Sequence, residues 1–315
     1  MAVTLAQAKL NVQDDLQMGI IDEFAKSSYI LNNIPFADVV SPTGGGATLT
    51  YAYTRQITQP TAAFRAINAE YTPAEVTKQR YTTDLKVFGG SFEIDRVLAG
   101  MGGIIDEVAW QSSQKVKAAS ALFSDTIING NSSSNANTFD GLDVALTGSD
   151  TEVTSTSVLA TSANVDSNYM AFLDELDEFL SNLDGEPTAL LMNAKMAAKM
   201  RAVARRAGMY QVTKDNFGHQ VEHYGNIPFV DIGAKAGSNN PIIATDTKKT
   251  DIYAVRFGMD GFHAISMAGV APVQIWLPDF QTAGAVKKGE VEMVAGCALK
   301  ATKAAGVLRG ITIEA

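Results

Sequence analysis

The chain has 315 residues, enough for one large or two modest domains, and its 46% hydrophobic and 19% charged composition is that of a globular protein. Lys and Arg number 25 against 34 Asp and Glu, and the net charge of −9 excludes wrapping nucleic acid in the manner of a basic DNA-binding domain. No apolar run approaches the ~20 residues of a membrane span, Met1-Ala2-Val3-Thr4 opens no signal peptide, and a single cysteine, Cys297, excludes an internal disulfide or a cysteine metal cluster.

In chain order, the first predicted element is an arm. Leu16, Ile20, Ile21 and Phe24 recur at helical spacing, Asp14 or Asp15 can cap the start, and Asn32-Asn33-Ile34-Pro35 ends it. The glycine run Gly44-Gly45-Gly46 lacks the Gly-Lys-Ser/Thr ending of a phosphate loop and leads into a strand pattern rather than a helix. From Ala47 to Ile94 the period is two. Leu49, Tyr51, Tyr53 and Ile57 point one way, and Thr48, Thr50, Ala52, Thr54 and Gln56 the other. The second limb repeats this, with Tyr81, Leu85 and Val87 on its apolar side and Lys78, Arg80, Thr82, Asp84 and Lys86 on its polar side. Between the limbs, Thr58 to Glu75 has no clear period and carries Pro60 and Pro73, either of which interrupts a ladder.

The segment therefore reads as a long β-ribbon with an irregular tip. Gly44, Gly45 and Gly46 before it and Gly89 and Gly90 after it are read as a hinge. A two-stranded ribbon has too little apolar area to stand alone, so it should lie on another surface. An ordinary hairpin with a long loop is the alternative.

Ile104, Val108, Val116, Ala119, Phe123 and Ile127 then mark one long amphipathic helix, with Ser112 interrupting the stripe. Asn129 to Asn137 is a polar loop and a domain boundary. Beyond it Met170, Leu173, Leu176 and Leu180 predict a helix, Ala189-Leu190-Leu191-Met192 a buried strand, and Ala194 to Arg206 a helix bearing Lys195, Lys199, Arg201, Arg205 and Arg206. Short strands follow at Ile227–Val230, Ile242–Ala244, Ile252–Phe257, Val273–Leu277 and Val291–Val294. The fold class is α+β, with helices and antiparallel strands in separate blocks.

No persuasive active site emerges. His219-Gln220-Val221-Glu222-His223 has the H-x-x-E-H spacing of the inverted zinc-protease motif, in which both imidazoles must share one helical face. Gly218, Gly225 and Pro228 surround it, so a stable helix is not expected there and a polar turn between strands is. Cys297 sits in an apolar stretch and reads as a buried, inert thiol. The basic stripe from Lys195 to Arg206 reads as a solvated face, or one paired with an acidic helix such as Asp174 to Glu178. No cofactor, metal or enzymatic activity is expected.

Taken in order, these parts resemble the major capsid proteins of tailed double-stranded DNA bacteriophages, the Hong Kong 97-type fold. Phe139-Asp140-Gly141-Leu142 after the polar loop, Leu191-Met192-Asn193-Ala194-Lys195 at a strand-to-helix junction, Ile227-Pro228, and Ile252 to Gly258 fit as well. The resemblance implies an N-terminal arm at 1–46, an extended loop at 47–94, a peripheral domain with the spine helix at 95–150, an axial domain at 151–270, and strands at 271–315 returning to the peripheral domain. It further implies self-assembly into hexamers and pentamers of an icosahedral head. The ribbon would cross a neighbouring subunit through Tyr51, Tyr53, Arg55, Phe64, Arg65, Tyr71, Lys78, Arg80 and Lys86.

The partners implied are further copies of the chain, a separate scaffolding protein, a portal, a decoration protein, and packaged double-stranded DNA held without sequence-specific binding; no membrane is implied. The expected location is the virion, after synthesis in the cytoplasm of a bacterial host. Neither a major N-terminal cleavage nor a covalent crosslink through Lys78 or Lys86 is expected. An encapsulin-like nanocompartment shell is the alternative within the same fold, and a zinc metalloprotease through His219, Glu222 and His223 the remote one outside it.

Overall fold

The computed structural model describes residues 29–41, 48–101, 106–214 and 220–315. The stripe from Leu16 to Phe24, the glycines Gly44, Gly45 and Gly46, and His219 lie outside them. In chain order the elements are α1 (Tyr29–Asn33), β1 (Phe36–Val40), β2 (Thr50–Gln56), β3 (Lys78–Asp84), β4 (Lys86–Asp95), α2 (Arg96–Gly100), α3 (Glu107–Asn129), α4 (Leu142–Leu146) and β5 (Glu152–Thr154). There follow α5 (Ser162–Ser181), β6 (Ala189–Met192), α6 (Ala194–Ala207), β7 (Gln211–Lys214), β8 (Gln220–Tyr224), β9 (Ile227–Asp231), β10 (Lys249–Val255), β11 (Phe262–Met267), β12 (Val273–Trp276), β13 (Val286–Leu299) and β14 (Ala305–Thr312).

A five-stranded sheet is organised by β13, whose 14 residues serve three partners. β4 runs antiparallel along one edge from Val286 to Ala295, while β12 and then β11 share the other. The two faces of β13 follow strand alternation. Val291, Met293, Ala295, Cys297 and Leu299 are buried on the face toward α3, and Val294 and Ala298 are buried on the opposite face with Leu85, Val40 and Ile265. Gly289 is needed in this strand because a Cβ there would overlap the Phe92 ring of β4.

The spine helix α3 starts where Asp106 accepts hydrogen bonds from the amides of Val108 and Ala109, at 2.9 and 3.3 Å. Its 23 residues span about 35 Å at 1.5 Å per residue. Phe123, fully buried, stacks on Phe36 of β1 and Phe88 of β4 at 5.9 and 6.0 Å and meets Phe139 edge-on. Ser112 stays on the buried face because its hydroxyl donates to the Val108 carbonyl at 2.8 Å.

A seven-stranded sheet has the order β5-β14-β10-β6-β9-β8-β7. Ala189 and Leu191 of β6 join the core beneath the spine, while Leu190 and Met192 join a second core with Phe172, Phe179, Met196 and Met200 of α5 and α6. That two-sided burial explains why β6 reads as a continuous apolar run rather than an alternation. Arg309 on β14 ties this sheet together through Glu152 on β5, Asp143 on α4 at 2.7 Å and Asp251 on β10 at 3.4 Å.

The strands are shared out differently from a division by chain order. β1, expected within the arm, pairs in parallel with β11; β11, expected with the 151–270 block, belongs to the five-stranded sheet; and β14, expected among the returning strands, lies inside the seven-stranded one. Ile242 to Ala244, expected as a strand, is a connection in which Ile242 and Ile243 are buried and the Ile242 amide donates to Gly233 at 3.1 Å.

Gly289→Ala should destabilise the unassembled chain by about 1–3 kcal/mol in urea denaturation, the usual cost of overpacking. Combining it with Phe92→Leu, which removes the obstructing ring atoms, should cost less than the sum of the single changes.

Candidate assembly surface

The ribbon is present with limbs β2 and β3, paired antiparallel in a register that sets Tyr53 opposite Tyr81 and Thr50 opposite Asp84. The Thr50 hydroxyl donates to the Asp84 carboxylate at 2.7 Å. Only Leu85 separates β3 from β4, so the second limb runs on into the five-stranded sheet. The Leu85 amide donates back to Leu49 at 2.8 Å, holding the limbs together at this junction.

The base of the ribbon lies on its own chain. Tyr51 and Tyr53 pack against the cluster of Val40, Leu85, Ile265, Val294 and Ala298. The Tyr53 hydroxyl donates to the Leu299 carbonyl at 2.9 Å, and the Arg55 guanidinium donates to Leu299 and Lys300 carbonyls at 2.7 and 2.9 Å. Arg55 also lies 4.3 Å over the Tyr81 ring, and the Lys300 ammonium 5.7 Å over Tyr51. Burial pushes the Tyr53 phenol above its ordinary range, with the Arg55 charge opposing. Gly296 permits the close approach, since a Cβ there would sit 3.1 Å from the Asp84 carbonyl oxygen. Beneath Tyr51 lies His263, fully buried, its ring edge-on to the tyrosine at 6.1 Å.

These contacts bind Tyr51, Tyr53 and Arg55, expected at a contact with a neighbouring subunit, to their own chain. Strand alternation identifies an apolar side but not what covers it; here the covering surface is the face of the chain's own sheet that carries Val294 and Ala298. Lys86 is likewise engaged internally, donating to the Ala136 carbonyl at 3.0 Å.

The tip behaves differently. From Ile57 to Thr77 every residue is exposed, and Phe64, Ile67 and Tyr71 show 108%, 91% and 63% of their surface. Arg65 lies 5.5 Å over the Tyr71 ring and donates to the Ala69 carbonyl at 3.1 Å, so the turn is held by its own residues. Lys78 and Arg80 at the top of β3 are exposed as well. Of the residues expected at an interface, Phe64, Arg65, Tyr71, Lys78 and Arg80 thus remain available on one projecting element.

Gly89 and Gly90 are not at the ribbon's base. They stand within β4, opposite Glu292 and Val291 of β13, where a Cβ on Gly89 would overlap the Val291 carbonyl oxygen. Close backbone approach, not free rotation, explains the first of them. Exposed apolar side chains at Val97, Leu98 and Met101 on α2, and at Ile275, Trp276 and Leu277 around β12, carried no periodic signal and were not anticipated as surface.

The other candidates are accounted for within the chain. Glu222 and His223 are adjacent residues of strand β8, not residues of a helix. Glu222 accepts from Arg201 and Tyr210 at 2.7 and 2.8 Å, and the His223 Nε2 lies 2.6 Å from the Thr213 hydroxyl, so the zinc-protease geometry is not formed. The strand replaces the expected polar turn because β7 and β9 flank it. The basic stripe on α6 pairs with Glu314, Glu222 and Asp166 through Lys195, Arg201 and Arg206. Cys297 is buried, its thiol pushed up to about 12 by desolvation and by Asp140. Among the described residues no cluster of metal-ligating side chains occurs, and no helix is long and apolar enough to cross a membrane.

No protein-family model matches the sequence, and no curated protein matches it in sequence. Solved structures are similar along nearly the whole chain. The SrpI encapsulin of Synechococcus elongatus superposes with a TM-score of 0.66 at 14% identity, covering 99% of this chain and 97% of the other. A structure from Mycobacterium phage Bobi gives 0.65 at 11% identity over 98% and 99% of the two chains. The capsid of Myoviridae phage XM1 gives 0.62 at 15% identity over 98% and 99%. The chain has the Hong Kong 97-type capsid fold.

Arg55→Ala removes two charge-assisted hydrogen bonds and the stacking on Tyr81, and should loosen the ribbon base by about 1.5–3 kcal/mol. Amide exchange should then accelerate in β2 and β3 while α3 and β13 keep their protection.

Proposed function

We propose that this chain is the shell-forming subunit of a tailed-phage head, assembling as hexamers and pentamers around double-stranded DNA. The observation that carries the reading is the ribbon's division into a base bonded to its own sheet and a tip whose apolar side chains, Phe64, Ile67 and Tyr71, have no cover in the chain. Such a projection suits a heterologous contact, in which the tip of one copy meets a different surface of the next and the rotation closes into a ring. Arg65 beside Tyr71, with Lys78 and Arg80 behind, supplies the aromatic and arginine anchors that dominate interface energetics. The chain's negative charge suits an inner wall that does not grip packaged DNA. A scaffolding protein, a portal and a decoration protein complete the assembly on this reading, and no catalytic step belongs to the subunit.

The superposition on an encapsulin gives a second reading, a shell around cargo proteins instead of DNA. Particles from the native source decide between them: nuclease-resistant double-stranded DNA belongs to the phage reading, a co-enclosed enzyme to the other.

Electron microscopy of the expressed chain, with a scaffolding protein where one is encoded beside it, should reveal closed shells. Phe64→Asp combined with Tyr71→Asp should abolish them while leaving the thermal midpoint of the unassembled chain within a few degrees, because neither side chain touches the core. Shells that form normally in that double variant count against the tip as the contact.

A further inference from the structure

We propose that protonation of His263 releases the ribbon base from the five-stranded sheet, making the ribbon's attachment to its own chain an acid-sensitive latch.

His263 lies on β11 opposite Ala298 of β13, on the face that receives the ribbon. It is fully buried, and neither ring nitrogen has a hydrogen-bond partner among the described residues. The Tyr51 ring of β2 closes over it, perpendicular to the imidazole with centroids 6.1 Å apart, and brings no carboxylate. At the end of β13, Lys300 places a like charge near the ring. The ionisable groups of the surrounding elements offer no compensation. On the ribbon Arg55 is bonded to the Leu299 and Lys300 carbonyls and Asp84 to Thr50, and on β1 Asp38 accepts from the Gly269 amide. Tyr53 donates to Leu299, and Cys297 faces the spine-side core. An imidazolium formed here is therefore buried without a counter-ion, and the nearest relief is hydration by lifting Tyr51 away.

Burial first, and Lys300 second, lower the His263 pKa from 6.5 to about 4, with the backbone at Gly261 opposing in part. The group binds its proton less readily when the base is closed than when it is open to water. Attachment is accordingly fully present above about pH 6.5, weakens as pH falls toward 4, and loses nothing more from this group below that. Across that window the opening constant rises by up to about tenfold per pH unit, the limit for one proton.

The test is amide exchange of residues 50–56 and 78–84 in the unassembled full chain between pH 7 and 4, corrected for intrinsic rates; it does not depend on whether the chain forms shells. Wild-type opening should rise through the window and His263→Phe should abolish the rise. Lys300→Met shifts the baseline by removing the cation over Tyr51, but it should also make the rise level off at a higher pH, because burial alone then opposes the proton, and it decides the matter if His263→Phe does not fold. A flat wild-type profile, an equal rise in His263→Phe, or a rise in Lys300→Met that levels off no higher in pH than the wild type overturns the proposal.

Discussion

Everything in this molecule depends on the pairing of β13 with three strands at once. One long strand holds β4 along one edge and β11 and β12 along the other, and its two faces bury different things. The odd-numbered face carries the spine helix, with Phe123 stacked between Phe36 and Phe88. The even-numbered face carries the ribbon base. Strand alternation makes this division unavoidable: a sheet with two apolar faces needs a cover on each to keep them from water. The spine covers one and the ribbon, in part, the other.

That arrangement gives the ribbon two halves with opposite physics. The base gains aromatic burial, a stacked Arg55 and three hydrogen bonds to main-chain carbonyls at the end of β13. The tip gains almost nothing from its own chain, and its form is held by turns and by Arg65 against Tyr71. A projection bonded to its own sheet at the base and tipped with uncovered apolar side chains holds those side chains at a defined distance from the core. The buried, unpartnered His263 sits at the root of this lever, where a change of charge acts on the whole projection.

Much of this was legible in the residues. The alternation from Thr50 to Gln56 and Lys78 to Asp84, the prolines that end it, the three-and-four spacing through Phe123 and Ile127, and the apolar run at β6 all mark elements that formed where expected. These signals are local, because a side chain's exposure to one face is set by the backbone period alone. Less legible were β1, β5, β11 and β14, strands whose existence rests on partners distant in the chain. Glu222 and His223 show a related failing in the candidate chemistry: the glycines and proline around them predict a polar turn, and flanking strands draw them into a ladder instead. Gly89 illustrates it for backbone freedom, since a glycine needed for close approach to Val291 looks, in sequence, like one needed for rotation.

By itself the sequence determined the kinds of element, their order, and which side of each strand and helix is apolar, since these follow from periodicity and from capping and breaking residues. Only the tertiary structure decided what each apolar side meets. Tyr51 and Tyr53 pack on their own sheet while Phe64, Ile67 and Tyr71 stay uncovered, because burial is settled by which surfaces the topology brings together, and β13 brings its even face to Tyr51 and Tyr53 but reaches no farther than the ribbon's root.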